Sequence, residues 1–360
     1  QKRFGKVTSL VAALVIAWTM ICTTGTQLIA FSKVLEYIFS PFGISYEQAL
    51  IIGMAIVVLY TVMSGMYGVA YTDVVQGIIL LVVIGLIIPF SALGQIGGMD
   101  GLKANLDESY FRFSPDIKML GYTVTSFLYF VAGPPYWQRA FSAKSSKAAT
   151  RGSLGGNIVI IFYTLAVILI GMCAAVIYPN VAAGDTEMVL LMVTEKYFPT
   201  IVYALTVASI LAVIMSTTDS YLILSAQTVT TDIVAKLTGE MEQKKMVLIS
   251  RISVAAVGLF AVLYALKMSN IFQAMMLSMT QFSAGVAVPA LAALFSKRVT
   301  REGMISSMLS GLIFSVIWAR VLSNPWGLSE AISGSIVSLI VLVVVSALTQ
   351  KKGKSAPFFS

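Results

Sequence analysis

The chain has 360 residues, of which 58% are hydrophobic and 11% are charged, a composition that excludes a soluble globular domain and indicates a polytopic membrane protein. It contains no histidine, which excludes imidazole proton relays and His-ligated metal centres, and no nucleotide or nucleophile motif supports ATP coupling or enzymatic catalysis. The net charge of +8 arises from uneven loop charges and does not indicate nucleic-acid binding.

About ten apolar stretches are long enough to cross the roughly 30 Å hydrocarbon layer of a bilayer as helices. They predict an all-α membrane protein with two longer connections, at 96–117 and 179–200. An apolar run at 188–193 predicts a short helix outside the membrane in the second connection. The ten predicted spans lie near residues 7–39, 45–65, 70–95, 118–133, 152–178, 201–234, 246–266, 269–296, 302–322 and 330–350.

Loop charges alternate along the chain and predict its orientation. The two ends and the loops at 139–151, 235–251 and 297–302 carry 17 of the 24 Lys and Arg residues. The positive-inside rule places these segments, and therefore both termini, in the cytoplasm, and an even number of spans agrees. The start at Gln1, in a basic segment that leads straight into a helix, predicts that the sequence is a piece of a longer protein.

Cysteines and carboxylates inside the spans are the first candidates for chemistry. Cys22 and Cys173 lie in apolar stretches and are predicted to be core residues, not a disulfide or a zinc pair. Asp73, in the third span, and Asp219, in the sixth, are costly in a membrane, so a functional role is the default hypothesis. Alternatively, Asp73 is a helix-start acid stabilised by the dipole, and Asp219 is a polar contact between helices.

The fourth span ends in Gly133-Pro134-Pro135, which predicts a break because two prolines remove two backbone donors. A discontinuous helix can present backbone groups to a substrate near the membrane midplane, and Tyr129, just before the break, could close over a bound solute. The alternative is that the helix ends at the cytoplasmic interface, where Tyr136 and Trp137 would be interfacial aromatics.

The sixth span contains the polar run Ser216-Thr217-Thr218-Asp219-Ser220, which must face protein, water or an ion. Hydroxyls beside a carboxylate are hard oxygen ligands that suit a small alkali cation. Val213, Ser216, Thr217 and Ser220 share one helix face, so two hydroxyls and the Val213 carbonyl predict part of a sodium site. A sodium ion would need further oxygens from another element. Alternatively, the hydroxyls bond to the preceding helical turn or to a neighbouring helix.

Four stretches together resemble the solute:sodium symporter family, which contains bacterial proline, pantothenate, sialic acid and sodium–glucose symporters. Ser64, Gly68 and Met304 depart from the family signatures, and the Gly-Pro-Pro break differs from the sugar-transporting branch. The matching stretches are Leu59-Tyr60-Thr61 through Thr72-Asp73-Val74-Val75-Gln76-Gly77, Gln138-Arg139 with Ser142-Ala143-Lys144-Ser145, Met215 to Ser220, and Lys297-Arg298 with Gly303.

The resemblance implies a LeuT-type fold, with two five-helix inverted repeats around a midplane site. It implies one transporter domain over residues 1–360, with core helices at about 1–298 and accessory helices at about 302–350. The first span would be the third core helix, so the first two core helices are expected to be missing from this sequence. The implied sites are a sodium site at Val213, Ser216 and Thr217, a possible second sodium site at Asp73, Asp219 and Ser220, and a substrate gate at Tyr129.

Ser126, Gln27 and Gln281 are further substrate candidates, because they are polar side chains within the spans. The leading hypothesis is sodium-coupled symport of a small organic solute across the plasma membrane by alternating access. It needs sodium and a lipid bilayer but no cofactor, nucleic acid or obligatory protein partner. A symporter-like solute sensor, an inactive truncated transporter and a proton-coupled relative, in which Asp73 and Asp219 titrate, remain alternatives.

Overall fold

The structure, a computed structural model, describes residues 2–182, 184–239, 241–268 and 270–350, without the side chains of residues 62–73 and 139. Every regular element within these ranges is helical. The α helices are α1 (Gly5–Phe39), α2 (Tyr46–Val82), α3 (Ile88–Gln95), α4 (Gly98–Asn105), α5 (Ile117–Ala132), α6 (Pro134–Phe141), α7 (Ser146–Ile177), α8 (Val189–Tyr197), α9 (Thr200–Gln227), α10 (Ala235–Thr238), α11 (Gln243–Ala265), α12 (Ile271–Phe282), α13 (Val288–Phe295), α14 (Arg301–Arg320) and α15 (Glu330–Thr349).

Most predicted spans are confirmed as helices. In the described part of the chain, eight helical stretches are long and apolar enough to cross a membrane, and the first part of α2, Tyr46–Thr61, is a shorter apolar stretch. The span predicted at 118–133 corresponds to α5, and the short helix predicted near 188–193 is α8. The eight stretches are Gly5–Phe42, Val74–Gln95, Ser146–Ile177, Thr200–Thr238, Gln243–Ala265, Ile271–Phe295, Arg301–Arg320 and Glu330–Thr349.

The predicted break between the second and third spans is wrong. Helix α2 runs without interruption from Tyr46 to Val82 and continues through a π-helical turn into α3. Asp73 therefore lies inside a helix and not at a helix start. The sequence explains the continuity, because Tyr46–Val82 contains no proline. Gly65 and Gly68 lower helix propensity by about 1 kcal/mol each, but they keep their backbone donors.

Polar side chains fix where several helices begin. Ser45 and Gln48 form a reciprocal capping box at the start of α2, which satisfies two backbone donors that the first turn leaves open. Asp116 accepts from the Met119 amide at 2.7 Å at the start of α5, and Thr300 accepts from the Gly303 amide at 3.1 Å at the start of α14. Such caps stabilise a helix by about 1 kcal/mol each.

Two helices share the sequence Gly-x-x-x-Pro, at 85–89 and at 285–289. Proline lacks an N–H group, so the carbonyl four residues earlier loses its usual donor. In both places the helix widens into a π turn, in which the Ile88 amide bonds to the Val83 carbonyl and the Val288 amide bonds to the Ser283 carbonyl. The same local arrangement therefore precedes both prolines.

The described residues group into two compact units. Unit 1 consists of Gln1–Thr26, Pro115–Arg139 and Ser220–Ser360, and unit 2 consists of Gln27–Ser114 and Ala140–Asp219. Helices α1 and α9 each contribute residues to both units. The core of unit 1 is built around Tyr129, Tyr221, Phe282, Val15 and Met20, and one core of unit 2 is built around Phe31, Leu35, Ala49, Leu191 and Ile214.

Helices α14 and α15 of unit 1 approach closely along small residues. The Ser307 and Ser338 hydroxyls lie 2.8 Å apart. A Cβ atom added to Gly311 would lie 2.2 Å from the Ala284 carbonyl oxygen and 2.8 Å from the Ser338 Cβ atom. Backbone cannot move away as a flexible side chain can, so position 311 requires glycine. Close packing of this kind is how helices associate in lipid, where the hydrophobic effect contributes little.

We expect Gly311→Ala to destabilise the protein by about 1–3 kcal/mol, the usual cost of overpacking a filled core. Gly171→Ala is the matched control, because an added Cβ on α7 meets nothing within 4 Å. It should leave stability unchanged or raise it by up to about 1 kcal/mol. Thermal unfolding of the purified protein in detergent measures both variants, and equal melting temperatures would contradict the packing described for α14.

Candidate functional site

The residues predicted to bind sodium meet at one carbonyl of α9, within unit 2. The Ser216 hydroxyl donates to the Val213 carbonyl oxygen at 3.3 Å, and the Thr217 hydroxyl donates to the same atom at 2.9 Å. All three residues are half-buried. The three predicted ligand oxygens therefore lie together at one point of an apolar helix.

Hydroxyl-to-carbonyl bonding within a helix is common, so other hydroxyls of α9 provide a comparison. Thr206 donates to the Val202 carbonyl at 2.8 Å, and Ser209 donates to the Leu205 carbonyl at 2.6 Å. Each of these bonds uses a carbonyl of its own, whereas Ser216 and Thr217 share one. The shared carbonyl brings three oxygen atoms together. In transporters, backbone carbonyls that are exposed near the midplane of the bilayer coordinate sodium.

Asp219 is fully buried, with 0% of its surface exposed. Its Oδ1 atom accepts a hydrogen bond from the Thr61 hydroxyl of α2, and both residues belong to unit 2. Burying a carboxylate is costly unless hydrogen bonds or a cation compensate it, and Thr61 supplies one such bond. Thr61 lies in the first family signature but was not among the predicted site residues.

The other two members of the possible second sodium site are placed only partly. Ser220 follows Asp219 on α9, is half-buried and falls in unit 1. Asp73 lies in α2, but its side chain is outside the described residues. The convergence of Asp73 with Asp219 therefore stays a prediction.

The predicted break after the fourth span is confirmed. Gly133 has an extended conformation with ψ of 127°, and α6 begins at Pro134. Because Pro135 cannot donate to the carbonyl of Val131 four residues earlier, that carbonyl needs another donor. The Trp137 indole N–H supplies it, at 2.8 Å from the Val131 oxygen. Trp137 thus stabilises the break itself.

Tyr129 is 1% exposed and lies in the core of unit 1. Its hydroxyl is 2.9 Å from the Tyr221 hydroxyl of α9, and its ring meets the Phe282 ring of α12 edge-on, with centroids 5.2 Å apart. Tyr129 therefore joins three helices of unit 1. Sequence reasoning missed Tyr221, whose available signal was its position one turn after Thr217 on the predicted helix face.

Gln281 is buried against α1. Its side-chain oxygen accepts from the Trp18 indole at 2.8 Å and from the Cys22 thiol at 3.7 Å. Gln281 directly precedes Phe282, the contact of Tyr129, so two substrate candidates lie close together in unit 1. The other two candidates, Ser126 and Gln27, are half-buried, and Gln27 belongs to unit 2.

The prediction that the two cysteines are core residues without a disulfide is confirmed, because Cys22 and Cys173 are both buried and are not bridged to each other.

Comparison with known proteins identifies the family of the chain. Residues 1–311 match the sodium:solute symporter family. The chain is 28% identical over 372 residues to the osmoregulated proline transporter OpuE of Bacillus subtilis, a match that covers 99% of this chain and 74% of OpuE. It is 28% identical over 365 residues to a sodium/proline symporter of Staphylococcus aureus, covering 96% of this chain and 70% of that protein.

A solved structure is similar in fold. The substrate-bound, outward-open structure of a Na⁺-coupled sialic acid symporter superposes with a TM-score of 0.74 and 21% sequence identity, over 97% of this chain and 76% of that one. The LeuT-type fold expected from the sequence motifs is thus confirmed. Because the family match extends over most of the sequence, the chain belongs to the sodium:solute symporter family, whose members are membrane transporters and not enzymes.

Proposed function

We propose that the protein couples entry of a small organic solute to entry of sodium through a site formed by Val213, Ser216 and Thr217. The observation that carries the proposal is the meeting of two hydroxyls at one carbonyl of α9. When sodium approaches, both hydroxyls would turn their O–H groups away from the carbonyl and direct their oxygen lone pairs at the ion. The carbonyl oxygen, freed of these donors, would become a third ligand. Further oxygens must come from another element.

In an alternating-access cycle, the coupling between sodium and solute follows from linkage between the two ligands. If sodium favours the outward-open state and raises solute affinity, the solute must raise sodium affinity by the same factor. The membrane potential adds about 2.3 kcal/mol per charge for each 100 mV. We propose that the basic loops, and both ends of the chain, face the cytoplasm of a plasma membrane, as the loop charges predict.

A second cation is proposed at Asp219. Its support is a buried carboxylate that shares a hydrogen bond with Thr61, next to Ser220 on the same helix. A cation here would compensate the buried negative charge. Asp73 is proposed as the second carboxylate of this group, because it lies in the α2 segment that resembles the family motif.

We propose a proline-like amino acid as the solute class. Two relatives support this proposal, because one is named a proline transporter and the other a sodium/proline symporter. Tyr129 would act as the gate over the solute, since its ring and hydroxyl connect α5, α9 and α12. Gln281, held by Trp18 and Cys22, together with Ser126 and Gln27, would provide polar contacts.

The test is uptake of labelled L-proline by the full-length protein in proteoliposomes, with sodium or choline outside and with unlabelled solutes as competitors. We expect sodium-dependent uptake that excess proline suppresses and sialic acid does not. If another unlabelled amino acid suppressed the uptake and unlabelled proline did not, that amino acid would replace proline as the proposed solute. Binding of proline without any uptake would overturn symport in favour of a sensor, and an absence of both would favour an inactive transporter.

A further inference from the structure

Helix α7 of unit 2 is packed on one side. Its buried residues are Ala166, Ile170, Cys173 and Ala174, which recur at helical intervals and therefore share one face. Ile170 belongs to an apolar cluster with residues of the π turn before α3. Cys173 and Ala174 belong to a cluster that includes residues of α3, α4 and α8. This face holds α7 to the rest of unit 2.

Large apolar residues occupy the other side of α7. Leu154, Ile158, Ile161 and Leu165 recur at intervals of three or four residues, so they form one stripe on the side away from the buried residues. Each of the four is between 61% and 68% exposed. This apolar stripe therefore points outward from unit 2.

Three glycines of α7 lie on the side of the buried residues. Gly152, Gly155 and Gly156 fall there because they precede Ala166 and Ile170 by whole numbers of helical turns or nearly so. Helix contacts within lipid are enriched in small residues, which let two backbones approach closely. A further helix would therefore pack on the glycine side, whereas the apolar stripe is left to lipid acyl chains.

Two cations continue the apolar stripe toward the start of α7. Arg151 stands three residues before Leu154, and Lys147 stands four residues before Arg151, so both fall on the same face. They are about 6 Å apart along the helix axis, and both are exposed. Two long side chains this close can reach one phosphate group, and arginine can bind it through two parallel hydrogen bonds.

No acidic residue compensates these charges nearby in the sequence. Residues 117–184 contain no Asp or Glu, whereas residues 139–151 contain four Lys or Arg residues. Three ion pairs are found in the described part of the chain, and none of them uses Lys144, Lys147 or Arg151. The start of α7 therefore presents positive charge that complements an anion.

The apolar stripe has the length of one leaflet of a bilayer. Leu165 lies 11 residues after Leu154, which corresponds to about 16 Å along a helix and to about half of the hydrocarbon thickness of about 30 Å. A lipid whose acyl chain follows the stripe would place its headgroup beside Lys147 and Arg151. The loop charges predict that this end of α7 faces the cytoplasm, where anionic lipids attract Lys and Arg residues near the membrane surface.

We propose that α7 binds one anionic glycerophospholipid of the cytoplasmic leaflet. Lys147 and Arg151 bind its phosphate, and Leu154, Ile158 and Ile161 contact an acyl chain. A zwitterionic lipid binds less well, because its ammonium group brings a like charge to a purely basic segment. The site uses none of the sodium ligands of α9, so it does not depend on the proposed symport.

The test uses the full-length protein in phosphatidylcholine nanodiscs that contain a trace of photoactivatable lipid. The probe is phosphatidylglycerol with a diazirine in one acyl chain, and the matched probe is phosphatidylcholine with the same chain. After irradiation, mass spectrometry quantifies the label on peptides that contain residues 154–165. Unlabelled phosphatidylglycerol or soluble glycerol 3-phosphate is added as a competitor.

We expect the phosphatidylglycerol probe to label this stretch about 25-fold more than the phosphatidylcholine probe. The reason is that each Lys or Arg near the membrane surface strengthens binding to anionic lipid about fivefold. Unlabelled phosphatidylglycerol should suppress the labelling. Glycerol 3-phosphate should not, since it has no acyl chain to pack on the apolar stripe.

Lys147→Gln combined with Arg151→Gln should lower labelling by the phosphatidylglycerol probe to the level of the phosphatidylcholine probe. Both positions are exposed, so the fold should be unaffected. The matched control is Lys244→Gln combined with Lys245→Gln, which removes the same charge from two exposed residues at the start of α11 in unit 1. It should leave the labelling of α7 unchanged.

Three results would overturn the proposal. Equal labelling by the two probes, or a loss of labelling that the control variant shares, would show a general lipid contact or a general effect of charge. Suppression by glycerol 3-phosphate would show a site for soluble phosphate. An absence of label on residues 154–165 with either probe would show that another segment of the full-length protein covers the apolar stripe.

Discussion

Thr217→Ala is expected to raise the sodium concentration for half-maximal uptake by about ten- to a hundredfold. The Thr217 hydroxyl lies 2.9 Å from the Val213 carbonyl, and it would leave that carbonyl to bind the ion. Hydrogen-bonding groups that act on a charge contribute about 1.5–3 kcal/mol each, which corresponds to this range. The combined Ser216→Ala and Thr217→Ala variant should remove measurable sodium dependence. The measurement is initial uptake at increasing sodium concentration and fixed solute.

Two variants separate sodium binding from helix structure. Thr206→Ala removes a hydroxyl of α9 that also donates to the preceding turn, at 2.8 Å from the Val202 carbonyl, so it should leave the sodium dependence unchanged. Thr217→Ser keeps the hydroxyl and should retain most of the sodium affinity. If Thr206→Ala and Thr217→Ala shifted the sodium dependence equally, the hydroxyls would have only a structural role.

Asp219→Asn is expected to reduce sodium-driven uptake at least about tenfold while the protein still reaches the membrane. Asparagine has nearly the same shape and can still accept from Thr61, so packing is kept and the charge is lost. A buried carboxylate that compensates a cation contributes several kcal/mol. Thr61→Val should have a smaller effect in the same direction, because it removes one donor and leaves the charge in place. Uptake and membrane abundance are measured on the same vesicles.

Asp232→Asn is the control for this substitution. Asp232 follows α9 in the same continuous helical stretch and pairs with Lys236 at 2.7 Å, but its side chain is 48% exposed. Exposed ion pairs contribute only about 0–1 kcal/mol, so uptake should stay close to that of the unchanged protein. A loss of uptake in Asp232→Asn as large as in Asp219→Asn would point to a general effect of charge on the helix.

The sequence predicted the features that depend on local chemistry. Proline removes a backbone donor wherever it stands, so the break at Gly133 could be read from the prolines that follow. Hydroxyls at Ser216 and Thr217 fall on one face of any α helix, so their approach to the Val213 carbonyl followed from helical spacing. The family motifs placed the chain among sodium-coupled symporters because they combine four separate stretches.

Features that depend on contacts between distant segments could not be predicted. Thr61 and Asp219 are far apart in sequence, as are Tyr129 and Tyr221, and no periodicity indicates which residues of two helices meet. The predicted spans at 45–65 and 70–95 form one helix, because no residue between them lacks a backbone donor. The expectation that the first two core helices are missing from this sequence stays a prediction.

The most direct test of sodium coupling is solute accumulation driven by a sodium gradient alone. The full-length protein is reconstituted in vesicles that contain labelled L-proline at equal concentration inside and outside, and sodium is then added outside. We predict that internal proline rises above the external concentration and falls back when a sodium ionophore removes the gradient. The Ser216→Ala and Thr217→Ala double variant should show no rise. Equal concentrations throughout, despite proline exchange across the membrane, would contradict sodium coupling.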